Sequence, residues 1–140
     1  MLLGPNGQLG ESLKNHLEAF HELECADKKK FDFLNPTNFL DILKKSKPSL
    51  VINAAAYTDV EGAESNENLA NQINSEALKY IASACETLDL ILLHFSTDYV
   101  FDGNKNTPYL EDDTPNPIST YGNSKLLGEK IISDNMKNYI

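Results

Sequence analysis

The chain has 140 residues, of which 41% are hydrophobic and 24% charged, and a net charge of -9. This length suits one domain with a real core, and this balance suits an ordinary globular protein. So acidic a chain should repel nucleic acid and anionic membrane, and the short basic run Lys28-Lys29-Lys30 does not reverse that. Cys25 and Cys85 are far apart and form no CxxC, which fits a reducing compartment. His16, His21 and His94 have no ligand-like spacing, so no metal site is expected. No apolar run approaches the ~18 residues a membrane span needs, and the start carries no signal-peptide pattern. The default location is cytoplasmic.

Leu2-Leu3 is an apolar stub followed at once by a glycine turn. Leu9, Leu13, Leu17 and Phe20 then recur at helical spacing and predict one apolar helix face. Glu22 to Ala26 reads as a short strand, and Asp27 to Pro36 as a loop. Thr37 can cap a helix carrying Phe39, Leu40, Ile42 and Leu43, which Lys47-Pro48 stops. Leu50 to Ala54 reads as a buried strand. A polar stretch from Tyr57 to Asn68 precedes a long helix with Ile73, Ala77, Ile81, Ala84 and Leu88 inward. Leu90 to Phe95 is the most apolar strand. Thr97 to Pro117 reads as a long loop, and Ser119 to Met136 as a final helix. Strands alternating with helices predict an α/β fold, a doubly wound parallel sheet of the Rossmann type.

The turn is Gly4-Pro5-Asn6-Gly7-Gln8-Leu9-Gly10. Between a strand and a helix it would leave backbone N–H groups free at the positive end of the helix, an anion site suited to a pyrophosphate. Gly4 would permit the turn, Gly7 close approach of phosphate, and Gly10 close packing of helix on strand. An ordinary glycine loop carries the same residues. Asp27, after the second strand, stands where a carboxylate would bind ribose hydroxyls. Asp32 could accept from an adenine amino group, with Phe33 beside the ring. A solvated carboxylate and a core phenylalanine would look the same.

Ser96-Thr97-Asp98-Tyr99-Val100-Phe101-Asp102-Gly103 lies at the C-terminal end of the fourth strand, where ligands of such sheets bind. Tyr121 and Lys125 stand four apart and share a helix face. A tyrosine ionises near ~10 in isolation, and a neighbouring ammonium lowers that value. Tyr121 could then give a proton to a carbonyl oxygen as hydride arrives at carbon, with Thr97 bonding the same oxygen. The Tyr-x-x-x-Lys pattern also arises by chance on helix faces.

The segments GPNGQLG, VINAAAYTDVEGAES, STDYVFDG and TPNPISTYGNSKLLGE, in this order, resemble the dTDP-4-dehydrorhamnose reductase family of extended short-chain dehydrogenases/reductases. The resemblance runs along nearly the whole chain. It implies a catalytic triad of Thr97, Tyr121 and Lys125, with Lys125 also holding a cofactor ribose. It implies pyrophosphate binding by Gly7, Gln8, Leu9 and Gly10, ribose binding by Asp27, and an adenine site at Asp32 and Phe33. Ala56, Tyr57 and Thr58 would line the cofactor groove, and Thr97 and Asp98 would touch the nucleotide-sugar. Related dehydratases carry Glu after Thr-Asp, where this chain has Tyr99, which favours simple hydride and proton transfer.

The implied cofactor is NADPH or NADH. Asp27 would repel a 2′-phosphate, whereas Lys28 to Lys30 would neutralise one. The implied substrate is a dTDP-sugar, and the implied assembly a homodimer of the full-length protein. The family has several more residues before the first glycine and roughly another domain after the position of Ile140. The expectation is therefore an incomplete Rossmann-like domain over residues 1–140, without the substrate-binding part, with Asn138 to Ile140 beginning a fifth strand. Two other readings stay open: a non-catalytic module like the regulatory subunit of methionine adenosyltransferase, and an inactive gene fragment.

Overall fold

A computed structural model describes residues 1–140. The strands are β1 (Leu2–Leu3), β2 (Cys25–Ala26), β3 (Leu50–Asn53) and β4 (Ile91–His94). The helices are α1 (Gln8–Leu17), α2 (Phe39–Ser46), α3 (Val60–Ser65), α4 (Glu67–Asn71), α5 (Ala77–Thr87) and α6 (Thr120–Asn135). All four strands are parallel, in the order β2-β1-β3-β4. The chain runs outward from β1 to β2, then crosses back over β1 to β3. That reversal leaves a crevice between the C-terminal ends of β1 and β3.

β1 has two residues, yet Leu2 and Leu3 are fully buried and pair with strands on both sides. Each buried leucine contributes roughly 1.5–3 kcal/mol, against roughly 0.5–1.5 kcal/mol net for a hydrogen bond. Burial rather than ladder length therefore holds β1 in place. The main core joins Leu3, Phe39 and Leu43 of α2, Val51 of β3, Leu78 and Ile81 of α5, and Leu92 of β4. Leu92 and Tyr139 form a parallel bridge beyond β4, with Ile140 N–H donating to the Leu92 carbonyl at 2.9 Å. Asn138 to Ile140 thus lie beside β4 through an isolated bridge, short of the fifth strand that the sequence expects to begin there. No helix is long and apolar enough to cross a membrane.

Several local expectations change. Helix α1 ends at Leu17, so Phe20 falls beyond its face and is exposed, and Gly10 is its only buried residue. The second strand shrinks from Glu22–Ala26 to Cys25–Ala26 because β1 offers a two-residue partner. Thr37 does not cap α2. Pro36 opens a single 3-10 turn, Asn38 takes the cap position, and the Thr37 hydroxyl turns to Asn35 Oδ1. Lys47, with φ of 50°, ends α2 as expected. Within the polar stretch, Asp59 caps α3 by accepting from Gly62 N–H at 2.9 Å, a signal the apolar periodicity does not show. The long helix is broken by a π-turn at Gln72–Glu76. The loop after β4 opens with a 3-10 turn, Asp98–Val100.

Candidate functional site

β1 ends at the crevice, and the chain must turn there at once. Gly4 does so with φ of +71°, where a side chain would also strike Ala55 of the neighbouring segment. Gly7 takes the N-cap position of α1 in extended backbone, its N–H donating to the Gly4 carbonyl. Its own carbonyl accepts from Glu11 N–H at 2.8 Å, so the preceding first-turn N–H groups have no intrahelical partner. Gly4, Gly7, Gln8 and Leu9 line a cavity of about 760 Å³.

The cavity runs from this turn across the ends of β2, β1, β3 and β4. Toward β2 its wall is Ala26, Asp27, Lys28, Phe31, Asp32, Phe33 and Leu34. Asp27 Oδ1 accepts from the backbone N–H of Lys29 and Lys30, and Asp32 Oδ1 accepts from Leu34 N–H. Each carboxylate therefore builds its own loop as well as facing the cavity. Phe33 meets Phe31 edge-on at 4.9 Å, and Phe31 in turn packs on Phe39. Lys30 is engaged with Glu24, which leaves Lys28 as the lysine of the basic run on the cavity wall.

Across the crevice stand Ala54, Ala55, Ala56 and Thr58 after β3, Phe95 and Ser96 after β4, and Tyr121 and Lys125 of α6. Ser119 caps α6, accepting from Gly122 N–H at 3.0 Å. Glycines let α6 seat closely: a Cβ at Gly122 would stand 2.2 Å from the Tyr99 carbonyl, and one at Gly128 2.3 Å from the Asn74 carbonyl. Asn74 ties the wall together. It accepts from Tyr57 N–H and donates to the Tyr57 carbonyl and the Ser124 hydroxyl.

This close seating buries Lys125, which is 2% exposed. Its Nζ donates to the Phe95 carbonyl at 2.6 Å and lies 3.2 Å from His94 Nε2. His94 Nδ1 lies 3.0 Å from Asn53 Nδ2. Burial pulls the Lys125 ammonium down to about 8, with Glu129 pulling the other way. Burial, and then the charge of Lys125, pushes His94 down to about 3, so its imidazole is neutral.

Four expected residues stand off the cavity wall. Gly10 lies beneath it, against the Gly4 carbonyl. Tyr57, expected to line the groove, packs instead on the small cluster of Ala63, Ala70 and Tyr121. Thr97 caps the 3-10 turn through Tyr99 N–H and donates to Asp98 Oδ1. That turn packs on the start of α6, where the Tyr99 ring meets Tyr121 edge-on at 5.6 Å. Thr97 and Asp98 are thus brought to the Tyr121 end of the crevice. The sequence reading missed Phe31, Asn53, Asn74 and His94. His94 directly precedes the STDYVFDG segment, but its partners are 31 and 41 positions away.

A parallel doubly wound sheet with a glycine turn under a nucleotide-sized crevice defines a Rossmann-like protein, with a tyrosine and a buried lysine on the crevice wall. The chain belongs to the RmlD substrate binding domain family, whose model matches residues 1–140. It is similar to the dTDP-4-dehydrorhamnose reductase of Burkholderia thailandensis, 39% identical over 134 residues, covering 96% of this chain and 45% of the relative. The enzyme of the same name from Shigella flexneri is 37% identical, over all of this chain and 48% of its own length. The crystal structure of dTDP-4-dehydrorhamnose reductase from Bacillus anthracis in complex with NADP superposes with a TM-score of 0.94 at 34% identity. It covers 99% of this chain and 50% of that one. The chain spans about half the length of the relatives it matches.

Proposed function

We propose that residues 1–140 form the cofactor-binding part of an NAD(P)H-dependent reductase acting on a dTDP-linked keto-sugar, converting dTDP-4-dehydrorhamnose to dTDP-L-rhamnose. The observation that carries this reading is the pairing of Tyr121 and buried Lys125 on one wall of a crevice whose other end is the N-terminus of α1. The residues present fit a dinucleotide. The cavity volume lies within the range of small-molecule sites, first-turn N–H groups are free for phosphate, and two carboxylates flank an aromatic slot.

In this reading Gly4, Gly7, Gln8, Leu9 and Gly10 form the pyrophosphate turn. Asp27 takes a ribose, Asp32 and Phe33 the adenine, and Ala56, Tyr57 and Thr58 belong to the middle of the groove. The nicotinamide cofactor, NADPH or NADH, supplies the hydride when bound. Tyr121 gives its proton to the carbonyl oxygen of the sugar. Lys125, one turn later on α6, holds the ribose and favours the phenolate left on Tyr121. Thr97 donates to the same carbonyl oxygen, and Thr97 with Asp98 orients the nucleotide-sugar. The similarity to the reductases and the NADP-bound relative supports this assignment. The same reading takes the full-length enzyme as a cytoplasmic homodimer, and the acidic balance of the chain speaks against nucleic acid or membrane as partners.

Calorimetric titration with NADPH and NADH tests it. The account expects saturable binding of one equivalent, weakened by Lys125→Ala. Absence of binding to the wild-type chain, or equal binding by the variant, contradicts it.

A further inference from the structure

Helix α6 carries Tyr121 in its first turn, directly after the long loop that follows β4. The first turn of a helix has N–H groups without intrahelical partners. Ser119 answers one of them, Gly122 N–H. Thr120 N–H is answered from another element. Glu64 of α3 accepts from it through Oε1 at 2.8 Å, and from the Thr120 hydroxyl through Oε2 at 2.8 Å. One carboxylate thus takes both donors of one residue, 56 positions away in the chain. The other hydrogen bonds that tie α6 to distant elements, at Ser124, Lys125 and Glu129, lie a turn or more further along.

This clamp is built to fix a position. Two bonds to the two oxygens of a planar group define orientation as well as distance. The carboxylate also meets the positive end of a 16-residue helix. Glu64 pairs with no lysine, and the bonds from Thr120 N–H and then from its hydroxyl hold the carboxyl below its ordinary 4.5, so it stays charged. Helix α3 is itself held at both ends. Asp59 accepts from Gly62 N–H, and Asn66 Nδ2 donates to the Gly62 carbonyl at 3.0 Å. The residue before Glu64 is Ala63, fully buried in one cluster with Ala70 and Tyr121. Consecutive residues of α3 therefore reach the packing around the Tyr121 ring and the backbone just before it.

We propose that Glu64 is a positioning residue: through both donors of Thr120 it fixes the first turn of α6 and so holds Tyr121 in place on the crevice wall. The functional meaning rests on the reading of Tyr121 as proton donor. A general acid must stand within hydrogen-bond reach of the oxygen it protonates, and a small misplacement is costly. Thr120 directly precedes Tyr121, so a first turn that frays at Thr120 carries Tyr121 with it.

The test uses the chain without cofactor, so its outcome stands whether or not a dinucleotide binds. NMR of protein labelled on tyrosine rings and backbone amides reports the Tyr121 ring and Thr120 N–H. Glu64→Ala should move the Tyr121 ring signals and leave those of Tyr80, Tyr109 and Tyr139 in place. It should also speed exchange of the Thr120 amide about tenfold or more. Glu64→Gln keeps an acceptor oxygen for the N–H and offers an amide donor to the hydroxyl oxygen, so it should keep the wild-type ring signals. Thr120→Val removes the hydroxyl bond alone and should move Tyr121 in the same direction by less. An unmoved Tyr121 ring in Glu64→Ala, a Glu64→Gln protein that behaves like Glu64→Ala, or equal movement at the distant tyrosines overturns the proposal. If Glu64→Ala does not fold, Thr120→Val decides, and a Tyr121 ring at its wild-type position there overturns it.

Discussion

Gly10 is pressed onto Gly4: a Cβ at Gly10 would stand 2.0 Å from the Gly4 carbonyl oxygen. Nothing flexible lies there to yield, since the obstacle is backbone at the turn that follows β1. Gly7 differs, because a Cβ there would meet only the Gly4 carbonyl at 3.7 Å, an ordinary contact. Gly10→Ala should therefore lower stability by about 1–3 kcal/mol, the usual cost of overpacking. Gly7→Ala should leave the melting temperature nearly unchanged and weaken dinucleotide binding. Thermal melts and titrations of the two variants separate the roles. A Gly7→Ala variant that binds as well as wild type contradicts the phosphate role of that residue.

Asp27 holds a turn through Lys29 and Lys30 N–H and also faces the cavity. Asn offers the same acceptor oxygen without the charge. Asp27→Asn should keep the melting temperature and shift relative affinity from NADH toward NADPH, because repulsion of a 2′-phosphate is gone. Asp27→Ala should lose about 1 kcal/mol of stability as well. Parallel titrations with the two cofactors decide, and an unmoved preference in Asp27→Asn removes Asp27 from cofactor discrimination.

His94 sets the acid limit of the fold. Its imidazole is held down to about 3 by burial and by Lys125, against an ordinary value of 6.5. Below about pH 6.5 the unfolded chain takes up a proton that the folded chain refuses, so stability falls as the pH falls through this window. The loss reaches about 3 kcal/mol by pH 4.5, at ~1.4 kcal/mol per unit. Carboxylates held low in the fold, such as Glu24 and Glu64, add to the fall only near and below their ordinary 4.5. Urea midpoints between pH 6.5 and 4.5 should drop steadily in wild type and stay flat in His94→Gln. Equal slopes in the two proteins contradict this account.

In the full-length protein proposed above, Tyr121→Phe should cost on the order of 10²–10⁴ in turnover of the keto-sugar nucleotide, as expected for loss of a general acid. Cofactor affinity should change little, since the phenol proton rather than the ring is what is removed. Turnover followed by reduced-cofactor absorbance checks this, and a Phe variant near the wild-type rate sinks the acid role.

The fold was legible where sequence signals are local. The glycine turn, the Lys47-Pro48 stop and the alternation of apolar runs all act within a few residues, and all appear in the structure. The short helix α3 was missed because its start is marked by Asp59 rather than by apolar periodicity. Phe20 looked like part of a helix face because spacing does not show that α1 stops at Leu17. For the site, Tyr121 and Lys125 were readable as neighbours on one helix. What surrounds Lys125 was not, because His94 reaches it from β4 and Asn53 reaches His94 from β3. Nor could spacing say that Asn74 holds both Tyr57, 17 positions before it, and Ser124, 50 positions after it.

The central claim is that the crevice over β1 and β3 holds a nicotinamide dinucleotide. Amide chemical shifts of the labelled chain, followed during titration with NADPH or NADH, test it residue by residue. The account expects saturating shifts at Gln8, Leu9 and Gly10, at Asp27 and Phe33, at Ala56, and on α6 around Tyr121 and Lys125. Shifts absent from the glycine turn, or confined to the opposite side of β4 around Ser133 and Tyr139, contradict it.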